Sequence, residues 1–152
     1  MLTKRTVLIC LAVLFLTIAF SMPSYAANGS MGLELSLGDQ QIPSVFMRIN
    51  TSLADRVEAK IGAIPSGGGF LVKGEVNLIR IFTPGGDFTT LAKLGIGCLL
   101  ENGTVAPDLH FAVGATYLLT SHLQLASDVS IGYREGQFFT TLNVGLGILF
   151  FD

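Results

Sequence analysis

Tryptophan is absent, histidine and cysteine occur twice each, and only 13% of the 152 residues are charged. Each shortage closes off a class of protein. A chain that is half hydrophobic and poor in charge is not disordered, because disorder requires the reverse balance. Nine basic against eleven acidic residues leave a formal charge of −2, and no basic face is present for a nucleic-acid partner. Two histidines and two cysteines offer no cluster at metal-ligand spacing, so neither a metal nor a cofactor is expected. Length alone predicts a single domain.

The first 26 residues separate from the rest. Lys4 and Arg5 make a short positive region, and Thr6 to Phe20 carry no charge. Ser21-Met22-Pro23-Ser24-Tyr25-Ala26 places small residues before a cut after Ala26, which is the pattern of a secretory signal peptide. The apolar run is shorter than the roughly 20 residues a membrane helix needs. Residues 1–26 are therefore read as a signal peptide, and residues 27–152 as the mature domain. Cleavage removes Lys4, Arg5 and Cys10, so the charge falls to −4 and Cys98 is left without an intramolecular partner.

Beyond Ala27, runs rich in Val, Ile, Leu, Thr and Phe alternate with clusters of Gly, Pro, Asn and Asp, the mark of strands and turns. Eight runs are predicted: Gly32–Leu37, Val45–Leu53, Val57–Ile64, Phe70–Phe82, Thr89–Leu100, Leu109–Leu119, Leu123–Tyr133 and Phe138–Phe151. Within them apolar and polar residues alternate. Phe70, Val72, Gly74, Val76 and Leu78 oppose Leu71, Lys73, Glu75 and Asn77, and Leu142, Val144, Leu146 and Ile148 oppose Thr141, Asn143, Gly145 and Gly147. Successive side chains on a strand point to opposite faces, so each run has one apolar face and one polar or small face.

A soluble sandwich would show the same alternation, but four features favour a barrel in lipid. Several runs, of about 11 to 14 residues, exceed the roughly five or six usual in soluble sheets and are long enough for the roughly 9–11 of a tilted membrane strand. Connections alternate: Leu53–Val57 and Leu119–Leu123 are tight, whereas Gly38–Ser44 and Glu101–Asp108 are expected to form longer polar loops on the outer side. Aromatics in the apolar phase fall near stripe ends. With both termini on the periplasmic side, Phe70, Phe111, Tyr133 and Phe138 are expected at the outer rim and Phe82, Phe88, Tyr117 and Phe150 at the inner one, as two girdles. Arg80 breaks the apolar phase near the inner rim, where a long cation can snorkel.

The fourth feature is charge. Glu34, Arg48, Glu58, Lys60, Lys73, Glu75, Lys93, Asp128 and Arg134 all fall on the polar phase, together with His110. An enclosed space requires such ions to pair, because an unpaired one is costly. Simple hairpin registers place Glu34 near Arg48, and Glu75 near both Lys60 and Lys93. The polar-phase glycines (Gly62, Gly95, Gly97, Gly114, Gly132, Gly145 and Gly147) are expected to make room for the long charged side chains.

With its leader, eight alternating runs, tight Leu119–Leu123 turn and C-terminal strand, the mature chain resembles the small outer-membrane barrels of the OmpA/OmpX type over nearly its whole length. The resemblance implies an all-β, eight-stranded antiparallel up-and-down transmembrane β-barrel in the bacterial outer membrane. It implies outer-membrane lipid as surroundings and the barrel-assembly machinery as a partner during insertion, and it names no other protein partner. That machinery reads a terminal aromatic in the apolar phase. Phe150 has this phase, and Phe151 and Asp152 follow it.

No constellation points to catalysis. His110 is the one inward-phase histidine able to accept a proton, and a lipid-modifying barrel family of similar size carries a His-x-Ser strand motif, whereas Phe111 and Ala112 follow His110 here. Ser121 and His122 are neighbours in a turn, without the geometry of a triad. Gly67-Gly68-Gly69 and Gly85-Gly86 lack the lysine and hydroxyl of a phosphate loop and are read as turns. The leading expectation is a barrel with a side-chain-filled lumen and a structural or surface-interaction role, not an enzyme. The alternatives are a narrow channel lined by Lys60, Lys73 and Lys93, a lipid-modifying enzyme using His110, and a secreted soluble barrel holding an apolar ligand in a reversed interior.

Overall fold

The computed structural model describes residues 29–38, 41–67, 69–83 and 86–150; the leader at 1–26 and the Phe151-Asp152 extension lie outside them. Eight strands follow in chain order: β1 (Gly29–Leu37), β2 (Ile42–Asn50), β3 (Asp55–Ser66), β4 (Gly69–Ile81), β5 (Phe88–Glu101), β6 (Thr104–Thr120), β7 (Leu123–Arg134) and β8 (Gln137–Phe150). Each pairs antiparallel with the next, and β8 closes on β1 with Leu33 opposite Leu146. Closure leaves no open sheet edge, the condition for strands to cross hydrocarbon. The termini of the barrel lie at one end, with the β2–β3, β4–β5 and β6–β7 turns; the other four connections lie at the far end.

All eight expected strands are present, but several boundaries move for local reasons. Thr51, Ser52 and Leu53 belong to a turn rather than to β2. There the Ala54 and Asp55 amides donate to Ser52 Oγ, and the Thr51 and Ser52 amides donate to the Asp55 carbonyl. The largest correction concerns Glu101–Asp108, expected as a long polar loop. The chain instead reverses in two residues, Asn102 and Gly103, at φ of 48° and 85°, and β6 runs on through Asp108. Asn-Gly with two positive φ angles is the tight hairpin turn whose twist suits the flanking strands, and Glu135-Gly136 repeats it with the same angles. The far-end connections are therefore as short as those at the terminal end.

Three prolines sit inside strands without breaking the sheet. Pro43, Pro65 and Pro107 pair with Leu35, Phe70 and Cys98 on one side, while on the other the ladders begin only at Ser44, Gly62 and Asp108. Each proline thus lies where one flank of its strand has no ladder partner, the place a residue without an amide hydrogen is tolerated.

The apolar phase faces out. Leu33, Leu78, Ile96 and Phe138 are 61–80% exposed, whereas Glu34, Arg48, Glu58 and Lys93 are buried. This overturns the soluble alternative with a reversed, apolar interior, since the interior is where the ions are. The expected girdle residues Phe70, Phe82, Phe88, Phe111, Tyr117, Tyr133, Phe138 and Phe150 all lie on the outside. Tyr133 and Phe138 meet edge to face, centroids 5.2 Å apart, at the far-end tip of β7–β8. Phe88 sits opposite Tyr117 at the terminal end, and Phe111 lies within the wall opposite Leu94 and Ile131.

Candidate functional site

The lumen of an eight-stranded barrel is only wide enough for side chains to fill, and here it is filled in three layers. At the far end, Ile42, Leu71, Leu99 and Ala106 form a buried apolar cluster, with Ile64 packed against it. These are inward residues from the tips of five strands; Ile42 and Ala106 belong to segments expected as loops, which β2 and β6 extend to include. Below them lie the ions. Toward the terminal end, Gln124 Nε2 donates to Ser30 Oγ at 2.9 Å, beside a cavity of about 280 Å³ lined by Arg56, Asn50 and Thr89 among others.

The ionic layer brings together all nine polar-phase charges named from the sequence. Lys60 donates to Glu34 at 2.7 Å and lies 2.7 Å from Glu75, which also pairs with Lys73. Arg48 Nε donates to Glu58 and its guanidinium lies 3.9 Å from Glu34, joining the two groups. Lys93 bridges Glu58 at 3.3 Å and Asp128 at 2.6 Å, and Asn143 donates to Asp128 at 2.7 Å. Arg134 pairs with Asp108 at 2.9 Å. The guanidinium groups of Arg48 and Arg134 also stack over Phe46 and Phe139, at 4.4 and 4.7 Å, a favourable cation–π arrangement. Every ion in this layer has an opposite charge within 4 Å, as a buried charge requires.

The expected Glu34–Arg48 and Glu75–Lys60 proximities are present. The expected Glu75–Lys93 pair is not. Glu75 lies opposite Gly97 and Lys93 opposite Ile79, four residues apart along the strands, so Lys93 reaches across the lumen to Glu58 and Asp128 instead. Two charges were missed. Asp108 falls in the segment expected as a loop, and Arg56 is the second residue of β3, opposite Asn50 in register and lining the terminal-end cavity.

Asp108 changes the setting of His110. The ring lies between Asp108, 2.9 Å from Nδ1, and Asn77 Oδ1, 2.7 Å from Nε2. Asn77 in turn donates from Nδ2 to Glu58 at 3.0 Å, which fixes its carbonyl oxygen toward the histidine. His110 is thus a link between the Arg134–Asp108 pair and the central ions, with both ring nitrogens occupied. Gly95 makes the link possible, because a Cβ there would collide with Asn77 Oδ1 and His110 Nε2. The other inward glycines accommodate a mixed set. Gly145 and Gly114 lie against Glu34 and Asp128, but Gly132 and Gly147 lie against Phe139 and Phe46, so aromatic rings as well as charged groups occupy the space.

Comparison with solved structures decides the architecture. The N-terminal β-barrel domain of Pseudomonas aeruginosa OprF superposes with a TM-score of 0.69 at 9% identity, covering 82% of this chain and 98% of that one. The fold is that of the small eight-stranded outer-membrane barrels. Ail of Yersinia pestis in a phospholipid bilayer nanodisc superposes at 0.57 with 10% identity, covering 82% of this chain and 99% of that one. A de novo designed transmembrane β-barrel gives 0.59 at 15% identity, covering 84% and 99%. No protein-family model and no curated protein matches the sequence. At these identities the transmembrane barrel architecture is what is shared.

Proposed function

We propose that the mature chain is an integral outer-membrane barrel with a structural or surface-interaction role, its lumen closed by side chains and its far end exposed at the cell surface. The observation that carries this reading is the division of the wall: apolar residues outside, and inside a continuous set of ion pairs from Lys73 to Asp128. Lipid is the environment that rewards such an outside, and a closed cylinder is the only one that rewards such an inside. The apolar cluster at the far end adds a second barrier to solute passage. Lys60, Lys73 and Lys93, which a channel would use, are held by carboxylates.

Catalysis is not part of the proposal. His110 is held between Asp108 and Asn77 inside the wall, which suits a structural link better than a proton acceptor presented to a lipid. Membrane fractionation tests the reading: recovery in the outer-membrane fraction with heat-modifiable gel migration is expected. Recovery as a soluble periplasmic protein would refute it.

A further inference from the structure

Among the described residues, the outward phase of the wall carries a single ion pair. Arg80 Nη1 donates to both carboxylate oxygens of Asp55, at 2.7 and 2.9 Å, on neighbouring strands at the terminal end. Both side chains are well exposed, at 61% and 44%. The pair stands at the head of an external groove of about 400 Å³, whose walls include Leu78, Ala92, Leu94 and Phe111. That volume is within the roughly 300–1,000 Å³ typical of small-molecule sites. The small side chain of Ala92, between Arg80 on one side and Val113 on the other, leaves the depression open.

We propose that this groove holds one phospholipid with an ethanolamine-type headgroup, the phosphate on Arg80, the primary ammonium on Asp55 and an acyl chain along Leu78, Leu94 and Phe111. Charge complementarity selects this occupant. A lone cation would favour any anionic lipid, whereas a juxtaposed cation and anion match a headgroup carrying both signs. Arg80 uses only Nη1 toward Asp55, so Nη2 and Nε remain for phosphate oxygens. Asp55 accepts two bonds from Arg80 and one from Ser52 Oγ, and an ionised carboxylate has about four acceptor sites, so capacity for an ammonium N–H donor remains. A trimethylated headgroup has no such donor, and a glycerol headgroup has no cation.

The inference rests on the membrane placement proposed above, and its test separates the two. The protein is purified from membranes in detergent and offered equimolar phosphatidylethanolamine, phosphatidylcholine and phosphatidylglycerol of identical acyl chains, with retained lipid read by native mass spectrometry. The wild type is expected to keep the ethanolamine lipid roughly two- to fivefold over either competitor, the range of exposed ion pairs. Asp55→Asn removes the advantage over the choline lipid, and Arg80→Gln lowers retention of all three. Ala92→Leu, which fills the groove without removing a charge, also lowers all three. Equal retention by the wild type, preference for the glycerol lipid, an Asp55→Asn variant that keeps the ethanolamine advantage, or Arg80→Gln and Ala92→Leu variants that retain as much lipid as the wild type would overturn the inference while leaving the barrel in its membrane. A protein lacking heat-modifiable migration would overturn the membrane placement itself, and the inference with it.

Discussion

Replacing Glu58 with glutamine tests the ion layer at its most connected point. Glu58 is fully buried and accepts from Arg48, Lys93 and Asn77. Lys93 keeps Asp128 at 2.6 Å after the change, but Arg48 keeps only Glu34 at 3.9 Å. The penalty therefore falls on Arg48, whose two terminal nitrogens already lack a hydrogen-bond partner. Stranding one member of a buried ion pair destabilises by about 3–5 kcal/mol, or roughly two to three and a half powers of ten in the folding constant. Urea unfolding in detergent micelles, followed by the loss of the heat-modifiable band, measures it. A companion double variant, Arg48→Met with Glu58→Leu, removes both charges and is expected to recover most of the loss, since apolar replacement of a buried pair is often neutral. A single variant within about 1 kcal/mol of wild type, the scale of an ordinary surface pair, would refute the reasoning. So would a double variant no more stable than the single one.

Gly95→Ala puts a methyl group where Asn77 and His110 meet; the same unfolding assay should show a loss of about 1–3 kcal/mol from overpacking. Val113→Arg puts a charge on the lipid side of the wall and is expected to cost about 2–4 kcal/mol in vesicles. Leu53→Arg, in the exposed turn between β2 and β3, should stay within about 0.5 kcal/mol of wild type. In planar bilayers the inserted protein should give no steady conductance, and well-resolved ion-selective openings would revive the channel reading.

Much of the barrel was legible because its governing signal is local. Alternation with period two fixes which face each residue takes, and the inward assignments of Glu34, Arg48, Glu58, Lys60, Lys73, Glu75, Lys93, Asp128 and Arg134 follow from that alone. Hairpin pairing added Lys60 to Glu75, because β3 and β4 are neighbours with those two residues directly opposite. It misplaced Lys93, whose partners lie on β3 and β7, two strands away on either side. A contact across a closed cylinder depends on curvature and side-chain length, which no hairpin register contains. Asp108 escaped notice for a different reason. Pro107 and Asp108 look like loop residues, and only the absence of a β7 ladder partner beyond Arg134 lets the proline sit in a strand. The Asn102-Gly103 pair was the available signal for the tight turn, and inward alternation continues from Ala106 through Asp108 to His110.

Because the chain contains no tryptophan, single tryptophans introduced one at a time report orientation without background. Ile131 is 57% exposed in the wall and Phe46 is fully buried in the lumen. In vesicles of brominated lipid, Ile131→Trp should be strongly quenched and Phe46→Trp left bright. The opposite pattern, with the lumenal probe quenched and the wall probe shielded, would contradict the placement of the apolar face against lipid.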